Sequence, residues 1–207
     1  MTRLLALLLL VLALLTAGSM AVAAVDGGEG SAAPAQSGKP KDAKGKKAAK
    51  AKPVGRAFGG DLHFEGILAE NLVASPSSLL DPIEHVLDDA DIAVVNLETA
   101  VTDGGFPAVK EFVFRAPPSA FVALRGGSID VASLANNHGM DYSVEGLRDT
   151  LAAAKRYRFP VVGGGMTAEQ AYAPYRAKVK GQKIAIIGAT QVLDDHLISA
   201  WTARPAK

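Results

Sequence analysis

The sequence contains no cysteine, so disulfides, thiol nucleophiles and thiolate metal sites are unavailable to it. A metal, if one is used, must be held by His, Asp, Glu and Asn, donors that suit Mn, Fe, Zn, Mg or Ca. Aromatic residues are scarce, with a single tryptophan. No basic face interleaved with aromatics occurs, which argues against nucleic acid as a partner. No Gly-x-Ser-x-Gly elbow is present, so serine-hydrolase chemistry lacks its usual signature. No internal repeat is visible.

What is present begins with an export pattern. Met1-Thr2-Arg3 is a short positive start, Leu4 to Leu15 is an unbroken apolar run, and Ala17-Gly18-Ser19 and Ala21-Val22-Ala23 supply small residues. That order predicts a signal peptide over residues 1–24, with an apolar core too short for a comfortable membrane span. The alternative is an uncleaved anchor, because weakly apolar residues continue to Val25. Either way the protein is expected to be secreted or associated with the cell envelope, with a membrane tether through its N-terminus in the second case. Residues 25–53 hold Gly, Ala, Ser, Pro and Lys with no large apolar side chain after Val25, and seven lysines fall between Lys39 and Lys52. Such a stretch buries too little to offset its chain entropy and reads as a disordered linker. Its lysines either rest on anionic lipid or an anionic wall polymer, or simply solvate a spacer. From Val54 onward 14 Lys plus Arg face 18 Asp plus Glu, a balance of −4, so the near-neutral total averages a basic linker with a mildly acidic domain.

The remaining residues, 54–207, suffice for one domain. Arg56 to Gly60 reads as a weak strand. Asp81-Pro82 reads as a helix start, with Asp81 as cap and Pro82 at the first helical position, and Ile83, Val86, Leu87 and Ala90 fall on one face of that helix. Asp91 to Asn96 is the clearest buried strand. Phe112 to Phe114 reads as a short extended piece, Ser119 to Arg125 as a brief helix, and Ile129 to Leu134 as a buried strand. A stripe of Val144, Leu147, Leu151 and Ala154 predicts a helix ending near Tyr157. Pro160 to Val162 is a strand before three glycines. Ala177 to Val179 and Lys183 to Ile187 read as a hairpin around Gly181-Gln182. Alternation of strands and helices predicts an α/β class with a late antiparallel pair.

Polar residues of one kind gather where predicted strands stop. The first strand ends in Asp61-Leu62-His63, a carboxylate and an imidazole two apart that can face one ion. Asn96-Leu97-Glu98 is an acceptor pair at the same spacing. Ala135-Asn136-Asn137-His138 follows the third strand, with Asp141 shortly after. In α/β folds the carboxyl ends of strands are where ligands bind, and paired cations need carboxylate, His and Asn ligands from several loops. Each cluster also has a plainer reading: Asp61 as a turn cap, Glu98 as a surface acid, Asn136 and Asn137 as turn residues. Gly163-Gly164-Gly165 lacks the Lys and Ser/Thr of a P-loop and reads as a tight structural turn rather than a phosphate cradle. Arg115 is either a contact for an anionic substrate or a surface arginine. His85 is expected to be solvated, and His196, beside Asp194 and Asp195, is unassigned.

Gly60-Asp61, Asn96-Leu97-Glu98, Phe114-Arg115-Ala116-Pro117-Pro118, Ala135-Asn136-Asn137-His138 with Asp141, and Gly163-Gly164-Gly165 occur in an order that resembles CapA-type capsule-synthesis proteins. The resemblance covers roughly Gly55 to Lys207. It implies a metallophosphatase-like (calcineurin-like) fold, a layered α/β sandwich, and a place in the biosynthesis of poly-γ-glutamate capsule or a related polymer. By that likeness Asp61 and His63 bind one metal, Asn137 binds a second, and His138 serves as general acid or phosphate-orienting donor. Glu98 stands where the superfamily usually has a bridging Asp, and Asn96 is a ligand or supports one. Asn136, Arg115 and Asp141 are candidates for support or substrate contact. The implied cofactor is one or two divalent ions, Mn, Fe or Zn. The implied partners are an anionic cell-envelope polymer or its synthesis machinery. Members of this family usually continue with further histidine-bearing motifs, so residues 54–207 are expected to be the N-terminal part of such a domain, truncated at its C-terminus. Two functions follow as expectations, a metal-dependent hydrolase of the phosphoesterase type or a non-catalytic accessory that binds polymer.

Overall fold

Ile92–Leu97 is apolar except for Asn96 and is buried along its whole length, the pattern of a strand covered on both faces. In the computed structural model, which describes residues 52–192, this strand, β2, lies inside a four-stranded parallel sheet. Its neighbours are β1 (Arg56–Leu62) on one side and β5 (Val131–Ser133) on the other, with β6 (Val161–Val162) beyond β5. The signal peptide expected at 1–24, the linker expected at 25–53 as far as residue 51, and His196 with its two aspartates lie outside the described residues. Between β1 and β2 run α1 (Ile67–Ala74), a 3-10 turn (Pro76–Ser78) and α2 (Asp81–Asp88). After β2 come the short parallel pair β3 (Ala100–Val101) and β4 (Arg115–Ala116), then α3 (Ala120–Gly126). The helix α4 (Ser143–Tyr157) joins β5 to β6, and α5 (Ala168–Ala171) leads to the antiparallel hairpin β7 (Tyr175–Val179) and β8 (Gln182–Ile186).

Alternation along the strands sends their side chains to two cores. Val95, Leu97, Ala132 and Leu134 pack with Leu72, Phe121, Leu124 and Ala154 from the helices. Ile92, Val94 and Val131 pack instead with Ile186, Ile184 and Tyr175 of the hairpin. The sheet is thus layered between helices and hairpin. Among the described residues no helix is long and apolar enough to cross a membrane.

Several expectations shift in detail. Asp81 is the first residue of α2 rather than its cap; Leu80 takes the cap position, and no side chain caps the helix. The α2 stripe is not buried either, since Ile83 is 45% and Val86 60% exposed. Only Leu87 of the stripe packs against the core, so amphipathic spacing formed the helix while half of its apolar face stays in solvent. The extended piece expected at Phe112 to Phe114 leads directly into β4: the Phe114 carbonyl accepts from the Ala100 N–H at 3.2 Å, and the ladder with the short β3 runs over Arg115 and Ala116. The hairpin turns at Lys180 and Gly181, both with positive φ (49° and 87°), as a right-twisted two-residue turn requires, so Gln182 belongs to β8. The side chain of Gln182 donates to the Lys52 carbonyl at 2.6 Å, which ties the end of the linker to the hairpin. The helix α1, the pair formed by β3 with β4, and α5 had no sequence reading, being short and weakly periodic.

Candidate functional site

Parallel pairing sets the site. Asp61 is in register with Asn96 across β1 and β2, and Asn96 with Ser133 across β2 and β5. The residues that follow each strand therefore emerge at one edge of the sheet. Asn96 is buried there, and its Nδ2 donates both to Asp61 Oδ1 at 2.8 Å and to Glu98 Oε2 at 3.0 Å. Its Oδ1 accepts from Asn136 Nδ2 at 2.9 Å, while Asn136 also donates to the Leu97 carbonyl at 2.9 Å and accepts from the His138 backbone N–H at 2.9 Å. The two amides form a buried bridge that fixes the loop after β5 to the end of β2. Asn96 and Asn136 are braces here, with every donor and acceptor spent inside the protein.

Glu98 is the perturbed group. Its carboxyl is pushed up from 4.5 to about 7, first by burial, then by the hydrogen bond and charge of Asp61 beside it, while His138 and Asn96 pull it back down. Two carboxylates share one amide donor, and one of them holds a proton near neutrality. His138 Nε2 lies 3.7 Å from Glu98 Oε1, too far for a hydrogen bond. The other ring nitrogen of His138, Nδ1, lies 2.7 Å from Asp141 Oδ2. Asp141 is fully buried, accepts from the Phe114 N–H at 2.6 Å, and forms an ion pair with Lys110 across 2.6 Å at Oδ1. Lys110 also donates to the Asn137 carbonyl at 2.8 Å. The ring of Phe114 stacks between two imidazoles, 4.4 Å from that of His63 and 4.3 Å from that of His138.

The structure brings Asp61, Asn96, Glu98, Asn136, His138 and Asp141 into one hydrogen-bonded cluster. His63 lies on the opposite face of Phe114 from His138, and its Nδ1 is buried with no partner. Asn137 enters the cluster only through its backbone carbonyl. The Arg115 guanidinium lies 4.8 Å over the Tyr142 ring, where it makes a cation–π contact. The three glycines form a tight turn: Gly163 has φ 75°, and a side chain there would come within 2.6 Å of the Ala135 Cβ that leads into the Asn-Asn-His loop. Lys110 and Phe114 had no assigned role in the sequence reading. They sit in a loop without periodicity, and only the fold carries them to Asp141.

As a metal centre the arrangement is partial. The unpartnered nitrogen of His63 and the closely set carboxyls of Asp61 and Glu98 are donors of the right chemistry. Among the described residues, however, no group of three or more His, Asp or Glu converges as a ready metal site. The donors fit a single cation at the Asp61–Glu98 pair better than they fit two.

Comparison with known proteins gives a consistent picture. The chain matches the model of the family described as bacterial capsule synthesis protein PGA_cap over residues 56–207. It is similar to a probable polyglutamine synthesis accessory protein of Mycobacterium tuberculosis strain H37Rv, 32% identical over 115 residues, which is 55% of this chain and 30% of that protein. It is also similar to the PGA biosynthesis protein CapA of Bacillus subtilis strain 168, 30% identical over 118 residues, 56% of this chain and 31% of that one. These alignments span less than a third of the length of the curated relatives.

Proposed function

Because the chain belongs to the PGA_cap family of bacterial capsule synthesis proteins, with its metallophosphoesterase-like α/β fold, we propose that it is an exported accessory protein of polyglutamate capsule synthesis carrying a metal-dependent hydrolase site. The observation that supports the reading most is the Asp61–Asn96–Glu98 cluster facing His138 at the carboxyl ends of three parallel strands. Functional sites are where burial and like charge are used to move a carboxyl toward neutral pH, and Glu98 is moved in that way. Asp61 and Glu98, with His63, are the residues that would hold a divalent cation, and the Asn137 side chain would be the further ligand that the family likeness implies. Such an ion supplies Lewis-acid polarisation of a phosphoryl or carbonyl oxygen. The protein's own part is positional. Asn96 holds the two carboxylates together, and Asp141 occupies Nδ1 of His138. That leaves Nε2 as the nitrogen that hands a proton to a leaving group. The lysine-rich linker and N-terminal apolar run would keep the domain at the envelope, near the anionic polymer or the machinery that makes it.

A purified protein supplied with Mn²⁺ is expected to hydrolyse a simple phosphodiester; His138→Ala is expected to lower the rate at least about 100-fold, the usual weight of an acid–base group, and Asp61→Ala to lower it together with the affinity for Mn²⁺. The second reading, a non-catalytic polymer-binding accessory, is supported by the accessory role in the name of the Mycobacterium tuberculosis relative. Saturable binding of polyglutamate with no hydrolysis under any of Mn²⁺, Fe²⁺ or Zn²⁺ would decide for it.

A further inference from the structure

The loop that joins β3 to β4 holds two of the closest contacts in the site. Three of its groups meet Asp141. The Ala108 N–H donates to the Asp141 carbonyl at 2.7 Å, the Phe114 N–H to Oδ2 at 2.6 Å, and the Lys110 ammonium faces Oδ1 at 2.6 Å. The same ammonium donates to the carbonyl of Asn137, the residue immediately before His138. Asp141 has no exposed side-chain surface, whereas Lys110 retains 13% of its own. A carboxylate so buried stays charged only with a cation and several donors around it, and Lys110 is the cation in contact. Asp141 Oδ2 lies 2.7 Å from His138 Nδ1, so a hydrogen bond there holds the imidazole by that nitrogen and leaves Nε2 turned toward Glu98. Phe114 closes the ring from the side by stacking on it.

We propose that Lys110 is a positioning residue of this site: by pairing with Asp141 and bonding the Asn137 carbonyl, it holds the Nδ1–H···Asp141 hydrogen bond and thereby aims His138 Nε2 at Glu98. The inference rests on the reading of His138 as a functional residue, but it concerns the orientation of the ring and does not depend on any hydrolysis.

The test is nuclear magnetic resonance on the full-length protein labelled with ¹⁵N at its four histidines, after chelation of metal, with His138 assigned by the signal lost in His138→Gln. Wild type is expected to show an exchange-protected Nδ1–H proton on His138 and ring contacts between His138 and Phe114. Lys110→Met is expected to lose the protected proton and weaken the ring contacts while signals of the β2 and β5 cores persist, and Lys110→Arg is expected to regain them. Should Lys110→Met give no folded spectrum, Lys110→Gln, which keeps a donor for the Asn137 carbonyl without the charge, is read by the same signals. A role confined to stability would lower the melting temperature of these variants and leave the His138 proton in place, and that result overturns the proposal. So does a wild-type protein in which His138 carries no protected Nδ1–H. A protein with the wild-type His138 signature but no hydrolytic activity would count against the catalytic reading alone.

Discussion

At the scale of single residues, the site is organised by amides rather than by its acids. Asn96 donates to two carboxylates with one nitrogen and receives Asn136 on its oxygen, so Asp61, Glu98 and the His138 loop are fixed relative to one another. The raised carboxyl of Glu98 has a consequence for stability. The folded protein binds this proton more tightly than the unfolded chain does, so stability conferred below the ordinary value of 4.5 is lost as pH rises toward about 7. In chelator, thermal midpoints are expected to fall across that window, and Glu98→Gln is expected to flatten the dependence. Asp141 is of a different kind. Replacing it by Ala removes the acceptor of the Phe114 N–H and one of the groups the Lys110 ammonium contacts, and should cost about 3 kcal/mol in chemical unfolding. The sequence alone pointed to Asp61, Asn96, Glu98, Asn136, His138 and Asp141 because acids, amides and imidazoles after apolar runs are conspicuous. Lys110 and Phe114 stayed hidden because their loop has no period, and nothing local tells a lysine that reaches a buried aspartate from one in solvent. In the sequence Arg115 stands between substrate contact and surface arginine, and its charge alone does not foretell the Tyr142 ring beneath it.

At the scale of elements, burial rather than pattern separates what matters. The β2 strand was readable because both its faces are apolar, and its last residue, Leu97, is fully buried against the helices. Leu97→Ala is expected to destabilise by about 2–5 kcal/mol. On α2, whose apolar stripe is equally regular, Ile83→Ser is expected to stay within about 0.5 kcal/mol, because the side chain is 45% exposed. Comparing the two variants by urea unfolding checks the distinction. The turn after β6 is decided by the backbone. Gly163→Ala places a Cβ in the left-handed region and 2.6 Å from Ala135, so it should destabilise by roughly 1–3 kcal/mol. Because Ala135 opens the Asn-Asn-His loop, the same variant should also disturb the His138 signals. The α/β class and the late antiparallel pair were legible from alternating strands and helices, whereas the short β3–β4 pair was not. A two-residue strand has no period to detect and exists only because its partner is nearby.

At the scale of the whole molecule, one edge of the sheet collects groups that ionise, and the lysine-rich segment precedes the domain along the chain. The proposed divalent cation would sit at the Asp61–Glu98 pair. The direct measurement is the binding of Mn²⁺ to the purified full-length protein, followed by electron paramagnetic resonance of the free ion at several pH values. Binding is expected to tighten as pH rises through about 7, where Glu98 gives up its proton, and to be lost in Asp61→Ala and in Glu98→Gln. At about 100-fold excess over the dissociation constant, the ion should add about 2.7 kcal/mol of stability, a rise of roughly 5–10 °C in melting temperature. Mn²⁺ binding that is unchanged in both variants, or no binding above the titration of Glu98, would contradict the claim.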